Sequence, residues 1–209
     1  MKNLIGTGTT TIKRGIDRKT NYLGLSTMTD LVEAAKLVLV RDGARGFTID
    51  RVAKQAHVTK GTLLYHFHNK NQLLTQLVDE YLFHLQSKLE DGKIIARSKD
   101  RLLDPSDLAV AGFIEWYRLF RKTDTAYTAY GLKLLALAAE ESELRKKVKD
   151  WYRQLFDELR KSTCPEALDI VLLLEGLFFL RHFQLDVTKD DEIESILNKL
   201  EKQVYKTPS

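Results

Sequence analysis

The chain has 209 residues, a net charge of +4, three prolines, 11 glycines and one cysteine. This length accommodates a small domain of about 60 residues followed by a larger one with its own core. The single cysteine excludes an internal disulfide framework, and the longest apolar run, residues 170–180, is interrupted by Glu175 and Gly176 and is too short to cross a bilayer.

No stretch shows sustained period-two alternation, so we predict an all-α fold. The start of the chain lacks the pattern of a signal peptide, and a lone cysteine is typical of a reducing compartment. We therefore expect a cytoplasmic protein that does not associate with membranes.

Residues 1–25 hold most of the excess positive charge and show no helical periodicity. They contain five Lys or Arg residues and one acidic residue, whereas the rest of the chain is nearly balanced. We expect a flexible basic tail. An arm that contacts DNA phosphates or the minor groove and a merely solvated tail both remain open.

The first predicted helix carries an apolar stripe and ends near Gly43, because glycine is the usual C-terminal cap. The stripe consists of Leu31, Ala34, Ala35 and Val38.

Residues 48–74, TIDRVAKQAHVTKGTLLYHFHNKNQLL, predict two short helices with a turn between them. Thr48 and Thr59 are expected N-caps, because a threonine hydroxyl accepts a hydrogen bond from a first-turn amide. His57 falls in the turn, where a positive φ is required. Leu63 and Phe67 are four residues apart and can pack inward together. The first turn of the second helix, which contains no apolar residue, then faces outward.

Asn69 and Gln72 resemble a capping box that starts a further helix with its own apolar stripe. Three consecutive helices are therefore predicted from caps and periodicity, within a domain at residues 26–85. The larger helical domain is expected at residues 86–209.

The segment resembles the DNA-binding domain of the TetR family of bacterial transcriptional regulators, a three-helix domain with a helix-turn-helix. Two positions depart from the family pattern: His57 replaces the usual turn glycine, and Leu64 replaces a common tyrosine that touches a phosphate. The matching residues, in order, are Gly43, Thr48, Val52, Ala53, Ala56, Val58, Thr59, Lys60, Gly61, Thr62, Leu63, His66, Phe67, Lys70, Leu73 and Leu74.

The resemblance implies a regulator that binds double-stranded operator DNA, most simply as a repressor. We expect Lys60 and Thr62 to contact base edges, with Gly61 allowing close approach of the backbone. Capping alone is the alternative role for the two N-cap threonines. The side chains expected to hold phosphates are Thr48, Thr59, Tyr65, His66 and Lys70.

The remainder predicts about five helices. After a polar break at residues 91–103, Asp104 and Pro105 mark a start, and this helix runs to about Lys122. The next pattern begins near Thr125 and breaks between residues 140 and 142. Further helices begin at Pro165 and near Ile193.

The helix after Pro165 is apolar nearly all round, and the last one is amphipathic. These two C-terminal helices are predicted to form a homodimer by pairing with their copies as a four-helix bundle. Gly176 could allow close helix approach, and Glu175 could face a cavity or the interface. Local packing of the glycine and a solvent-facing carboxylate are the alternatives.

The family resemblance also implies a small ligand, bound by the C-terminal domain, that releases the DNA. Aromatic walls with few polar groups suit a largely apolar ligand, although the same pattern also occurs in a plain core. The candidate ligand-binding residues are Trp116, Phe120, Tyr127, Tyr130, Phe179 and His182, and Tyr117 and Phe178 lie on the same helices.

Other classes of function have weaker support. No His-Asp arrangement accompanies Cys164, so we do not expect an enzyme. His66 and His68 do not share a helix face, so no metal site or other cofactor is expected. The main alternative is a DNA-bound regulator whose C-terminal domain binds a protein partner, which the absence of a cavity would favour.

Overall fold

The computed structural model describes residues 28–121, 125–183, 185 and 187–205, except for the side chains of residues 125–128 and 182. The basic tail at residues 1–25 lies outside this part of the chain. The described residues form α-helices and one short 3-10 turn, Pro105–Asp107, which confirms the all-α prediction. The helices are α1 (Met28–Gly46), α2 (Ile49–Gln55), α3 (Lys60–His66), α4 (Lys70–Lys99), α5 (Leu108–Phe120), α6 (Thr125–Glu140), α7 (Ser142–Leu159), α8 (Ala167–His182) and α9 (Asp190–Val204).

Helices α1 to α3 and the first half of α4 enclose a small core. Leu31, Ala35 and Val38 of α1 are fully buried, as the predicted stripe requires. Gly43 has φ 67°, so the regular helix ends there as predicted and the chain turns before Phe47, which is also buried.

Helix α4 is longer than the sequence pattern indicates. It continues to Lys99, so the polar break predicted at residues 91–103 is wrong over most of its length, and the expected boundary after residue 85 lies inside the helix. Gly92 lies where α4 crosses α5, and a Cβ there would lie 2.1 Å from the carbonyl oxygen of Gly112. The backbones of α4 and α5 therefore touch, and small residues hold this crossing.

Helix α5 is the centre of the C-terminal bundle, because residues 109–117 are all buried. Asp104 caps the 3-10 turn, and α5 itself begins three residues after the predicted Pro105. The break between α6 and α7 falls at residue 141, as predicted. Helix α8 begins at Ala167, two residues after Pro165.

An ion-pair network ties α9 to α4 and α5. Lys99 lies 2.6 Å from both Glu115 and Glu201, and Arg118 lies 2.6 Å from Glu201. Arg118 and Arg121 also pair with Glu194. The apolar side of α9, formed by Ile193, Leu197, Leu200 and Val204, is buried inside the chain. The α9 helix is therefore anchored by both charge and apolar packing.

Across the described ranges, none of the helices combines the length and apolar character that crossing a membrane requires.

Candidate functional site

The helix-turn-helix begins at Thr48. Its hydroxyl oxygen accepts a hydrogen bond from the amide of Arg51 at 3.3 Å, which confirms the predicted cap of α2. Val52 and Ala53 are buried beneath it, so the apolar side of α2 faces the small core.

The turn between α2 and α3 is closed by two backbone hydrogen bonds. The amide of Val58 donates to Ala53 at 3.0 Å, and the amide of His57 donates to Lys54 at 3.2 Å. This pattern is a Schellman motif, whose penultimate residue adopts the left-handed conformation. His57 has φ 56°, as predicted from its position, and is the one non-glycine residue with positive φ among the described residues.

Helix α3 starts at a second threonine cap. The Thr59 hydroxyl accepts from the amide of Thr62 at 3.1 Å and lies 2.9 Å from the Thr62 hydroxyl. At the far end of the helix, Leu63 and Phe67 are buried together, as predicted. The predicted caps and the predicted inward pair are therefore confirmed, and together they fix which face of α3 is outward.

The outward face of α3 begins with Gly61. A Cβ placed there would meet only the Thr59 hydroxyl oxygen, at 3.7 Å, which is an ordinary contact. Glycine costs roughly 1 kcal/mol of helix propensity relative to alanine. An alanine would therefore fit within the chain, so packing inside the chain does not require glycine at this position.

Lys60 is held by a neighbour that the sequence analysis missed. Its ammonium lies 3.1 Å from the carboxylate of Asp50 on α2, and both side chains are exposed. Exposed pairs of this kind stabilise a fold by at most about 1 kcal/mol, so the lysine is oriented without being locked. Asp50 also places a negative charge beside the start of α3.

Three other predicted contacts lie towards the end of α3 and the start of α4. Tyr65 is 79% exposed, and its ring packs edge-on against His66 with centroids 5.4 Å apart. The Lys70 ammonium lies 5.8 Å above the Phe47 ring and is half-buried. Hydroxyl, imidazole and ammonium groups thus lie at the end of α3 and the start of α4.

The residues predicted to bind a ligand do not share one cavity. Trp116 and Phe120 line a gap between α5 and α8 with a volume of about 10 Å³, enough for one water. Tyr130 lines a separate cleft of about 280 Å³ near the junction of α1, α4 and α6. Phe179 does not line the gap between α5 and α8; its ring packs edge-on against Phe178, and it is 36% exposed. The side chains of Tyr127 and His182 lie outside the described residues.

Glu175 also lines the α5–α8 gap. Its neighbours there are aromatic or aliphatic, and the Tyr152 hydroxyl donates a hydrogen bond to its carboxylate at 3.3 Å. Burial raises the pKa of Glu175 to about 7, and the hydrogen bond from Tyr152 offsets this only in part. The structure therefore agrees with the prediction that Glu175 faces the interior, and not with the alternative of a solvent-facing carboxylate.

Cys164 has the properties of a structural thiol. It is 3% exposed, and burial raises its pKa above the usual value. Thiolate chemistry requires a depressed pKa, so this environment does not activate the sulfur.

The combination of a doubly capped helix-turn-helix and a separate helical bundle defines a DNA-binding regulator of transcription. Two family models match the chain: residues 31–77 match "Bacterial regulatory proteins, tetR family", and residues 114–205 match "Tetracyclin repressor-like, C-terminal domain". The chain belongs to the TetR family.

The transposon Tn10 TetC protein of Escherichia coli is 36% identical over 62 residues, which are 30% of this chain and 32% of that protein. The chain thus aligns with about a third of that relative. Over the same fold, a TetR family member from Streptomyces coelicolor A3 has a TM-score of 0.61 and 18% identity, covering 82% of this chain and 96% of its own.

Two further solved structures share the fold. A transcriptional regulator from Rhodococcus sp. Rha1 has a TM-score of 0.62 at 18% identity, covering 84% of this chain and 94% of its own. The multidrug binding protein EbrR, solved in complex with imidazole, has a TM-score of 0.55 at 20% identity, covering 87% and 96%.

Proposed function

We propose that this chain is a repressor that reads an inverted-repeat operator as a homodimer and leaves it when a small molecule binds the C-terminal bundle. The observation that carries the DNA-reading part is the first turn of α3. Thr59 caps this turn, the turn faces outward, and no atom of the chain blocks the space beside Gly61. A helix with these properties can enter the major groove with its N-terminal residues at the base edges.

Within this function, two groups of residues have different tasks. Lys60 and Thr62 contact base edges, and Gly61 lets the backbone approach the DNA. Thr48, Thr59, Tyr65, His66 and Lys70 hold phosphates and fix the register. Lys60 exchanges its exposed pair with Asp50 for a guanine acceptor, which costs little because that pair is solvated.

The outer face of α8 supports the homodimer. Leu172, Leu173 and Leu180 are about half exposed, and Gly176 between them has nothing within 4 Å of an added Cβ. An apolar helix face around an open glycine suits a second helix at close range. Because α9 buries its apolar side within the chain, α8 supplies most of the apolar area and α9 adds polar contacts at the edge.

The interior of the bundle supports control by a ligand. A carboxylate among aromatic side chains is typical of a binding site, since pockets combine apolar walls with a few polar groups. The gap of about 10 Å³ is far below the ~300 Å³ of an ordinary ligand pocket, so the ligand binds a more open state and stabilises it. The relative EbrR is itself described as multidrug-binding.

Exposed apolar side chains on α4 favour a second candidate function, in which the C-terminal bundle binds a protein partner. Phe83 and Ile94 are 77% and 68% exposed on the outer side of α4 and provide an apolar surface for it. Melting temperatures measured with lipophilic compounds would separate the two candidate functions. If a compound raises the melting temperature and operator DNA opposes this rise, the bundle contains a ligand site that is coupled to DNA release.

Selection of bound sequences from random DNA with the full chain tests the DNA-reading proposal. We expect an inverted repeat whose half-site centres are about one helical turn, or a multiple of it, apart. Direct repeats, single half-sites or no enriched sequence would contradict the proposed dimer.

A further inference from the structure

Glu115 and Asp107 of the C-terminal bundle are buried and compensated, whereas Glu175 is half-buried. Glu115 is 3% exposed and lies 2.6 Å from the Lys99 ammonium. Asp107 is 3% exposed and accepts hydrogen bonds from Ser162, Thr163 and Cys164. Although burial opposes its ionisation, the hydrogen bonds prevail and hold the pKa of Asp107 below its usual value. Both groups therefore have the partners that a buried charge needs.

Glu175 is the exception. Within the described residues it has no ion pair, and its hydrogen-bond partner is the neutral hydroxyl of Tyr152 on α7. The described side chains of α5 that face it carry no charge. Among the described residues, Glu175 thus has neither a cation such as Lys99 beside Glu115 nor the set of hydrogen bonds that Asp107 accepts.

The side chains around Glu175 are mostly aromatic. Phe113, Trp116, Tyr117, Phe120 and Phe178 line the same gap. The faces of such rings attract cations, by roughly 0.5 to 2 kcal/mol for each well-placed ring. A carboxylate and several rings around one gap therefore complement a positive charge attached to apolar bulk.

We propose that Glu175 and these five aromatic side chains form a binding site for a lipophilic organic cation. The proposal rests on the small-ligand function proposed above and specifies its chemistry. The positive nitrogen lies against the Glu175 carboxylate, and the apolar part of the ligand replaces contacts between the rings.

The outer end of the gap marks the entry. Phe120 and Phe178 are half-buried and pack with centroids 5.0 Å apart, whereas Trp116 and Tyr117 are 9% and 5% exposed. Separation of the Phe120–Phe178 pair opens the gap between α5 and α8. Helix α5 is in backbone contact with α4 at Gly92 and Gly112, so displacement of α5 reaches the helix that carries the DNA-binding domain.

The test uses two probes of the same shape, phenyltrimethylammonium and the uncharged tert-butylbenzene. Binding is followed by the fluorescence of Trp116 in the gap and of Trp151, whose ring packs on Tyr152. The full-length protein should bind the cation at least about tenfold more tightly than the neutral probe. Equal affinities, or no binding of the cation, would overturn the proposal.

Two variants make the result specific. Glu175→Gln keeps the size and a hydrogen-bonding group, and it should reduce the preference for the cation to within about twofold while leaving tert-butylbenzene binding unchanged. Asp169→Asn removes one exposed carboxylate from the same helix and should retain the wild-type preference. A Glu175→Gln protein that still prefers the cation would also overturn the proposal.

The three probes distinguish failure of the proposed cation site from failure of the proposed small-ligand function. If tert-butylbenzene or the anion 4-tert-butylbenzoate binds as tightly as the cation, the bundle is still a ligand site and only the cation claim fails. If all three probes fail to bind while lipophilic neutral compounds raise the melting temperature, the bundle is again a ligand site, and only the proposed preference for a cation is wrong. The inverted repeat expected from random DNA does not depend on either result.

Discussion

Helices α3 and α8 both present an outward face with an open glycine, yet the two faces have different chemistry. Around Gly61 lie Lys60 and Thr62, whereas around Gly176 lie leucines. In neither case would a Cβ clash within the chain. A polar face with hydroxyl and ammonium groups suits a nucleic acid, and an apolar face suits a second protein helix. This difference supports DNA as the proposed partner of α3 and a second copy of the chain as the proposed partner of α8.

The largest expected effect tests the α8 face. Leu180→Glu places a charge in the proposed dimer interface, so we expect monomers in sedimentation velocity. Loss of the second half-site should weaken operator binding by about a thousandfold, because specific affinity depends on both modules. Ile94→Glu adds the same charge at an exposed apolar position on α4 and should leave the dimer intact. An unchanged dimer in Leu180→Glu would exclude α8 as the interface.

The next expected effect concerns Glu175 in the gap between α5 and α8. Because the pKa of Glu175 is raised from 4.5 to about 7 on folding, its protonated form is favoured in the native state. The penalty is absent below about pH 4.5, grows as pH rises and is complete above about pH 7. Tyr152, its ionisable neighbour, stays protonated because burial raises its pKa further.

We therefore expect Glu175→Gln to be more stable than the wild type at pH 8 and nearly equal at pH 4.5. The difference in free energy of unfolding should grow by up to about 3 kcal/mol between these values. Urea unfolding at each pH, with Asp169→Asn as the control, measures it. A difference that does not change with pH would contradict an inward carboxylate.

Lys60→Ala tests the α3 face. We expect operator binding to weaken by about 1 to 3 kcal/mol, with a smaller loss for random DNA. Competition titrations with both DNAs measure the two losses. Equal losses would reassign Lys60 from a base to a phosphate.

Asp50→Asn should act in the opposite direction and by less. It removes a negative charge beside the recognition helix and releases Lys60 from its 3.1 Å pair, so we expect DNA to bind a few-fold more tightly. The same titrations at two salt concentrations check this. Weaker binding would mean that Asp50 is needed to orient the lysine.

The smallest effect concerns the turn before α3. His57→Gly removes the cost of a side chain at φ 56°, so the free energy of unfolding should rise by about 1 kcal/mol. Because His57 is exposed and outside α3, the operator affinity should stay within about twofold. A destabilised variant would show that the histidine side chain stabilises the turn by contacts of its own.

The α3 region and the gap between α5 and α8 also differ in how much of each the sequence predicts. The caps of Thr48 and Thr59 and the positive φ of His57 depend on residues within five positions, so local patterns predict them. The crossing of α4 and α5 brings Gly92 against Gly112, twenty residues away, and small residues leave no apolar pattern. The ion pair of Glu115, and the absence of an ion pair at Glu175 among the described residues, depend on side chains of other helices. Local chemistry therefore predicts the α3 face better than the interior behind α8.

Gly61→Ala tests whether α3 reads DNA, because its two expected effects have opposite signs. Operator affinity and urea unfolding are measured on the same purified variant. We predict that the affinity falls at least about tenfold, because a methyl group blocks the approach of α3 to DNA, while the free energy of unfolding rises by up to about 1 kcal/mol. Unchanged operator affinity in a folded, dimeric Gly61→Ala protein would contradict the assignment of α3 as the DNA-reading helix.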